Sequence, residues 1–352
     1  MSNIKHSPNL SWTQSTAYDF FVSLFVLHHP ADFGLRLSWA AGVRSRLPAE
    51  QRDFLELAQG FLPAPLPWLS SLGADSLDTS AMLDALAKIP AGERLEKLLR
   101  PEDLPPVISE TLARIRQQGH AEATDLEVLR VNYLRRGKSI RPAAINSLAD
   151  AWSDPQTFGE RYLEAAVTYQ QVFFQEEEER IRPALESGLE EARRLAQDKS
   201  FPDLIETLTR GVSFDFGGVK ELILAPSYWC APLVIYSRVT KEKTMLLFGC
   251  RPADTPLVPG DMVPTGVVTG LKALADPTRL RILHYLSHEP LTPTELARRL
   301  RLRPPTVIHH LNLLRLSGLV QVSVLTEGER RYALRSAELN TLLSDTQNFI
   351  GS

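Results

Sequence analysis

The 352-residue sequence predicts a mainly α-helical protein with a small amount of β-structure. Three observations give this prediction. Apolar residues recur at helical spacing through the first two hundred positions, as in "YDFFVSLFVLHH" and "AEQRDFLELAQGFL". Short β-branched and aromatic runs follow position 212. Helical spacing returns after a stretch at 251–266 that contains four prolines.

The N-terminal region, residues 1–211, is expected to be helical throughout. Its spacing predicts helices at 79–89, 107–119, 123–135 and 159–197. Pro183 lies inside the last of these and should kink or split it, because proline removes a backbone donor. The acidic run at 176–179 in the same helix is typical of a solvated face rather than of a metal or partner site.

Residues 212–256 predict a small antiparallel sheet, since "KELILAPS", "APLVIYSRV" and "KTMLLFGC" are strand-like runs separated by turn residues. Residues 257–266 have no period and are expected to form a linker. The remaining residues, 267–352, then form a separate C-terminal domain.

Composition indicates a soluble globular protein, with 43% hydrophobic and 23% charged residues. The N-terminus lacks the layout of a signal peptide, and two cysteines suit a reducing compartment, so we expect a cytoplasmic protein. The net charge is −3, yet residues 266–352 carry 11 basic and 7 acidic side chains. Five arginines and no acid lie between positions 296 and 326. An acidic body with a basic C-terminal patch indicates contact with nucleic acid.

The C-terminal domain begins with clear helix signals. Asp276 followed by Pro277 is an N-cap with a proline at the first helical position. Thr292 and Glu295 form a capping box at the start of a second helix. A third helix, "PPTVIHHLNLLRL", is ended by Gly318, and "LVQVSVL" and "RRYALR" predict a hairpin. A three-helix core followed by a β-hairpin wing is the order of a winged helix-turn-helix domain.

Four motifs carry a family resemblance: "LKALADPTRLRILHYL", "TPTELARRL", "PPTVIHHLNLLRLSGLV" and "GERRYAL". Together, over about residues 268–350, they resemble the DNA-binding domain of the ArsR-type bacterial transcription regulators. The resemblance implies a homodimer that binds a palindromic operator in double-stranded DNA, usually as a repressor. It leaves the large N-terminal extension without an assigned role.

The third helix is the expected recognition helix, with its N-terminal residues in the major groove. Helical spacing turns Val307, Leu311 and Leu314 toward the core. The DNA-facing side chains are then Pro305, Thr306, Ile308, His309 and Asn312. Asn312 can bond an adenine edge in a bidentate way, and His309 can donate or accept. Arg301, Arg303 and Arg315 suit phosphate contacts, and the wing adds Arg330 and Arg331.

Two positions depart from the family pattern. Arg303 stands where a capping serine is common, and Pro304 offsets that loss by pre-setting the backbone. Ile308 stands where a serine often faces the operator. It could contact a thymine methyl group or turn inward, and the sequence leaves both open. His310 is expected to hydrogen-bond within the fold and hold the recognition helix against its support.

A metal site is the first alternative, because well-known members of the resembled family sense metals. The first helix of the turn motif lacks cysteine, and the last helix lacks histidine. His309 and His310 diverge around the helix, and His284 and His288 lack an evident third ligand. We therefore expect no metal and no cofactor. Cys230 and Cys250 are expected to be structural thiols rather than a redox switch.

Other functions remain open at this level. No motif for nucleotide binding or metal-dependent catalysis is present, and we expect no enzyme. A winged helix used only for protein contacts, or a metal-responsive regulator, is the alternative to a DNA-binding repressor. The N-terminal region would serve in dimerisation or in sensing an effector, whose existence the sequence leaves open. The final helix, 337–350, is a predicted dimer element because Leu339, Leu342, Leu343 and Ile350 need a partner.

Overall fold

The computed structural model describes residues 7–33, 35–73, 77–100, 103–135, 142–231, 233–252, 265–324 and 330–351. Residue contacts divide the chain into two compact units, whose bounds differ from the ranges expected from sequence. The helical unit comprises Gln14–His29 and Leu37–Arg182, and the C-terminal unit comprises Met1–Thr13, Pro30–Arg36 and Pro183–Ser352. Mainly helical structure with small sheets confirms the predicted fold class.

The helical unit follows the predicted periodicity closely. Its helices are α1 (Thr16–His28), α2 (Leu37–Arg44), α3 (Ala49–Gln59), α4 (Leu66–Ser71), α5 (Thr79–Lys88), α6 (Ala91–Leu99), α7 (Pro106–Gln118), α8 (Ala123–Arg135), α9 (Pro142–Ser153) and α10 (Pro155–Tyr169). A π-helical turn, Gln170–Phe174, joins α10 to α11 (Gln175–Asp198). The prediction of a split at Pro183 is wrong, because α11 continues through it.

Helix α1 is buried on almost every side, which explains its nearly continuous apolar sequence. Phe20 packs edge-on against Tyr169 and Phe174, with ring centroids 5.3 Å apart in both pairs. His28, at its C-terminal end, places Nδ1 2.8 Å from the Leu24 carbonyl oxygen. Burial lowers the pKa of this imidazole from 6.5 to about 4, against the opposing effect of that hydrogen bond.

The acidic run of α11 is not entirely solvated. Glu176 and Glu179 are exposed, but Glu178 is buried and accepts hydrogen bonds from the Thr79 backbone N–H at 3.0 Å and from the Thr16 hydroxyl. The expectation of a solvated face is therefore wrong for Glu178. Its carboxylate satisfies donors in the first turns of α1 and α5, where the helix dipoles favour negative charge.

A four-stranded sheet forms part of the C-terminal unit, in the order β1-β3-β5-β4. Its strands are β1 (Asn9–Trp12), β3 (Glu221–Ser227), β4 (Ile235–Arg238) and β5 (Lys243–Gly249), and α12 (Phe201–Leu208) packs beside them. The predicted antiparallel sheet is wrong in its topology, because β1, β3 and β5 are parallel and β4 alone is antiparallel. Both central strands are buried along their length, and such continuous apolar runs are typical of parallel sheets.

The winged part of the unit contains α13 (Thr265–Leu274), α14 (Pro277–Leu286), α15 (Pro293–Leu300), α16 (Pro304–Leu316) and α17 (Ser336–Gly351). Its sheet has three strands, β2 (Val212–Phe214), β6 (Val320–Val324) and β7 (Arg330–Leu334). The predicted hairpin is β6 and β7, and β2 extends it by pairing in parallel with β6. Of the predicted linker, 257–264 lies outside the described residues, and α13 begins at Thr265.

In the part of the chain that the structure describes, no helix has both the length and the apolar composition required to cross a membrane.

Candidate nucleic-acid interface

The two helices before α16 begin at the predicted caps. The Asp276 carboxylate accepts a hydrogen bond from the Arg279 backbone N–H at 2.9 Å. Thr292 N–H donates to Glu295 Oε2 at 2.8 Å, and Glu295 N–H donates to Thr292 Oγ1 at 3.2 Å, so the capping box is complete. Local signals in the sequence therefore fix where the supporting helices start.

Helix α16 packs one face into the domain core. Val307, Leu311 and Leu314 are fully buried there, in a cluster that also includes residues of α14, α15 and the wing. The helix begins after Arg303, whose side chain makes no cap hydrogen bond, and two prolines occupy its first positions. This packing leaves the opposite face of the helix outside the core.

The opposite face of α16 is exposed over its first turns. The predicted contact residues Pro305, Thr306, Ile308, His309 and Asn312 are all exposed. Ile308 keeps 43% of its accessible surface, so the inward-turned alternative is wrong for this side chain. A run of exposed residues near a helix N-terminus is the geometry with which recognition helices reach base edges.

Arginines flank this face. Arg301 and Arg303 are exposed, and neither has a carboxylate within ion-pair distance among the described residues. Arg301 adopts a left-handed backbone conformation, φ 57°, as the C-cap of α15. Arg298 is also exposed, and it belongs to the arginine run of the sequence although it was not among the predicted contacts. The charge run was the signal that could have identified it.

The wing contains one buried aromatic side chain and two arginines that are predicted to contact DNA. Tyr332 is buried and exchanges backbone hydrogen bonds with Leu291 in both directions, each at 2.9 Å. Arg330 is exposed. Arg331 is 40% exposed and places Nη1 3.9 Å from Glu295 Oε2, which ties this predicted contact to the capping box of α15.

His310 lies on the buried side of α16, as expected for a bracing residue. Its Nδ1 is 3.9 Å from Asp276 Oδ1 and makes no hydrogen bond to any described residue. The expected hydrogen bond is therefore absent. Burial lowers the pKa of the imidazole despite the nearby carboxylate, so the contact joins a neutral ring to Asp276 and is not an ion pair at neutral pH.

Arg315 lies apart from the other predicted contact residues. Its side chain lines a cavity that none of the other predicted contact residues lines, together with groups from α12, α13 and α17. Burial is the main cause that lowers the pKa of its guanidinium, and its Nε is buried with no hydrogen-bond partner among the described residues. Arg315 is thus half-buried, and the phosphate contact expected of it stays a prediction.

The predicted dimer helix α17 is only partly exposed. Leu342 is buried against α13, where the Gly270 backbone approaches so closely that a Cβ at that position would lie 2.4 Å from a Leu342 methyl group. Leu339 packs against the domain core. Leu343 and Ile350 stay exposed, as does Leu271 of α13. Only some of the predicted contact leucines are therefore free for a second chain.

Among the described residues, no three histidine, cysteine or acidic side chains come together at a spacing that could hold a metal ion. The His284 and His288 rings lie 4.9 Å apart, and His288 Nδ1 contacts the His284 carbonyl oxygen at 2.8 Å. That contact is the ordinary one of a histidine near a helix end. Cys230 is buried and Cys250 is half-buried.

Comparison with known proteins identifies the C-terminal region. A protein family described as "Helix-turn-helix domain" matches residues 274–323. Among solved structures, the chain is similar to an ArsR family transcriptional regulator, with 28% identity over 26% of this chain and 96% of that chain and a TM-score of 0.22. No curated protein matches the chain. The chain therefore carries a C-terminal helix-turn-helix domain, a DNA-binding fold, after a large N-terminal extension.

Proposed function

We propose that this protein is a transcriptional repressor that binds a palindromic operator as a homodimer. One observation carries the proposal: the first turns of α16 present Thr306, His309 and Asn312 to solvent, while the opposite face of the same helix is fully buried. A helix held in this way can enter the major groove without rearrangement of its domain.

Charge supports the same docking. Arg301 and Arg303 lie beside the exposed face, and Arg330 lies on the wing. These guanidinium groups suit phosphates on either side of the groove, which give affinity and register rather than sequence information. Asn312 and His309 are then the proposed base readers, and Ile308 is placed to contact a thymine methyl group.

Dimerisation is proposed through α13 and α17. Leu271, Leu343 and Ile350 are exposed large apolar side chains on these two helices. A second copy of the domain would cover them and place two recognition helices on one duplex about one helical turn apart. Sedimentation equilibrium should give a dimer, and the double variant Leu343→Glu/Ile350→Glu should give a monomer. Leu57→Glu, an equally exposed leucine in α3, is the control; a monomeric wild type contradicts this part.

The DNA test begins with recovery of genomic fragments bound by the purified protein. A recovered duplex is then titrated by fluorescence anisotropy over a range of salt concentrations. We expect affinity to fall steeply with salt, and Arg303→Gln should reduce the salt slope by about 2, because each protomer of the dimer loses one phosphate contact. Arg193→Gln, an exposed arginine of α11, should leave the slope unchanged. If no fragment is enriched and no duplex binds at low salt, the proposed function is wrong.

A further inference from the structure

The cavity lined by Arg315 lies entirely within the C-terminal unit and has a volume of about 750 Å³. Sites for small molecules usually measure about 300–1,000 Å³, so this space suits a metabolite rather than a single ion. Its walls come from the end of α12, the start of α13, the last turn of α16 and the start of α17. None of the residues that are proposed to contact DNA lines this cavity.

Basic side chains outnumber acidic ones in the lining. Of the described lining residues, five are basic and three are acidic. The basic residues are Lys199, Arg210, Arg251, Arg315 and Arg335. Two of the acidic residues, Asp203 and Glu206, are exposed. The third, Glu338, accepts a hydrogen bond from Arg335 Nη2 at 2.9 Å. Lys199 and Arg210 are exposed as well, so Arg251 and Arg315 are the half-buried basic residues of the lining besides Arg335, which Glu338 binds.

Arg315 has neither an ion-pair partner nor a hydrogen-bond acceptor for its Nε among the described residues. An arginine stays charged in a protein, and a buried charge is costly unless a counter-charge and hydrogen bonds satisfy it. No carboxylate lies within ion-pair distance of Arg315 among the described residues, and its Nε has no acceptor there. Asp32 favours its charge only from beyond that distance, and Arg330 opposes it. The side chain is half-buried, and its buried Nε lacks, among the described residues, an acceptor that an anion in the cavity would supply.

We propose that this cavity binds a small organic anion, whose carboxylate or phosphate group is held by the Arg315 guanidinium. A planar fork of N–H donors matches either group in a bidentate way. Arg251 lines the same cavity with its guanidinium 5.8 Å from the Tyr228 ring centroid, and it supplies a second cation for the ligand.

Binding of a ligand in the cavity should affect α16, the helix that is proposed to contact DNA. Leu316, Ser317 and Gly318, which end α16 and lead to the wing, line the same space. Arg335 donates to the Gly318 carbonyl oxygen at 3.2 Å and so connects this turn to α17. An anion bound to Arg315 would therefore affect the position of both the last turn of α16 and Gly318, which lie at the two ends of the turn that leads to the wing. This regulatory part rests on the proposed function, whereas the binding site itself does not.

The test uses the full chain with two probes, inorganic phosphate and citrate, in buffers brought to the same ionic strength with NaCl. We expect a saturable rise in Tm for at least one probe, because a ligand that binds only the folded state stabilises it. Arg315→Met should weaken that probe at least about ten-fold. In probe-free buffer the same variant should be as stable as the wild type or more stable, since methionine removes a buried charge at similar volume.

Arg315→Lys keeps the charge but loses the fork and should give intermediate affinity, which covers the case that Arg315→Met fails to fold. Arg193→Gln should bind the probe as the wild type does. If neither probe acts beyond NaCl, or if Arg315→Met and Arg315→Lys both respond like the wild type, the anion site is wrong. DNA affinity measured in probe-free buffer separates the two ideas: DNA binding without a probe effect overturns only this inference, and a probe effect without DNA binding overturns only the proposed function.

Discussion

Charged and polar side chains at the two ends of α16 differ in their exposure to solvent. At the N-terminal end, Arg303 and the contact residues up to Asn312 are open to water. One turn after Asn312, Arg315 is enclosed by α12, α13 and α17. A hydrated arginine is available to any phosphate that approaches, whereas an enclosed one selects an anion that fits its surroundings. One helix thus carries the proposed DNA contacts at one end and the proposed anion site at the other.

The buried face between the two ends gives the largest expected effect. Leu311→Ala should lower the free energy of unfolding by about 2–5 kcal/mol, because the side chain is fully buried and leaves a cavity. Denaturant unfolding measures this loss, and Leu313→Ala, on a less buried side of the helix, should cost less. Equal costs for the two variants would contradict the packing on which the comparison of the two ends rests.

His28 provides a comparison with Arg315. Both are basic side chains near the C-terminal end of a helix and shielded from solvent, but the imidazole of His28 can lose its charge. Its pKa is about 4 in the folded chain against 6.5 unfolded, so the unfolded state binds more protons between these values. Stability should be fully present above pH 6.5 and fall by about 3 kcal/mol as the pH approaches 4. His28→Asn should remove this contribution.

The measurement is chemical unfolding at several pH values, with His120→Asn, at an exposed histidine, as the control. If the free energy of unfolding depends on pH in the same way for His28→Asn and the wild type, burial of the imidazole does not lower its pKa.

At the proposed DNA-contact end, Asn312→Ala should cost about 1–3 kcal/mol per half-site in binding to the preferred duplex, or about 5- to 150-fold in affinity for each half-site, and relax sequence preference. Its response to phosphate or citrate should be unchanged. Anisotropy titrations with the preferred and a scrambled duplex give both numbers, and Gln117→Ala of α7 is the control. A uniform loss on both duplexes would mean that Asn312 does not read bases.

The support of α16 gives a smaller effect. Asp276→Ala should cost about 1 kcal/mol of stability, because the N-cap of α14 loses the acceptor for the Arg279 backbone N–H. Asp276→Asn caps nearly as well and should recover most of that loss. If both variants lose the same stability, the contribution comes from the Asp276 charge beside Arg279 and not from the cap.

Arg301 gives the smallest expected change. Its left-handed backbone suits glycine, so Arg301→Gly should raise stability by about 0.5 kcal/mol after the entropic cost of glycine. DNA affinity should fall alike on every sequence, with a salt slope smaller by about 2 because both protomers lose the contact. Unfolding and anisotropy on the same preparation check both. A loss of stability would mean that the Arg301 side chain holds the turn before α16.

What the sequence predicts well is set by short-range chemistry. The cap at Asp276, the capping box at Thr292 and the buried face of α16 each depend on residues within one or two helical turns. The exposed face with Thr306, His309 and Asn312 follows from the same spacing. These features needed no knowledge of distant parts of the chain.

What it predicts poorly depends on pairing between distant segments. β1 lies more than two hundred positions before its partner β3, and no local pattern announces that contact. The buried runs of β3 and β5 carried the signal of a parallel sheet, but short apolar runs alone do not fix strand direction. Arg315 has the helical position of a phosphate contact, and only the placement of α12, α13 and α17 around it reveals the cavity.

The pairing of β2 with β6 has a practical consequence for the choice of a truncated fragment. A fragment that starts at residue 267 would carry the whole matched domain but lack Val212–Phe214, which cover one side of β6. Unpaired strand edges invite association between molecules, so this fragment should aggregate. A truncation that begins before α12 keeps β2 but removes β1 and so uncovers the edge of β3, which makes the full chain the form that we would choose for crystallisation with DNA.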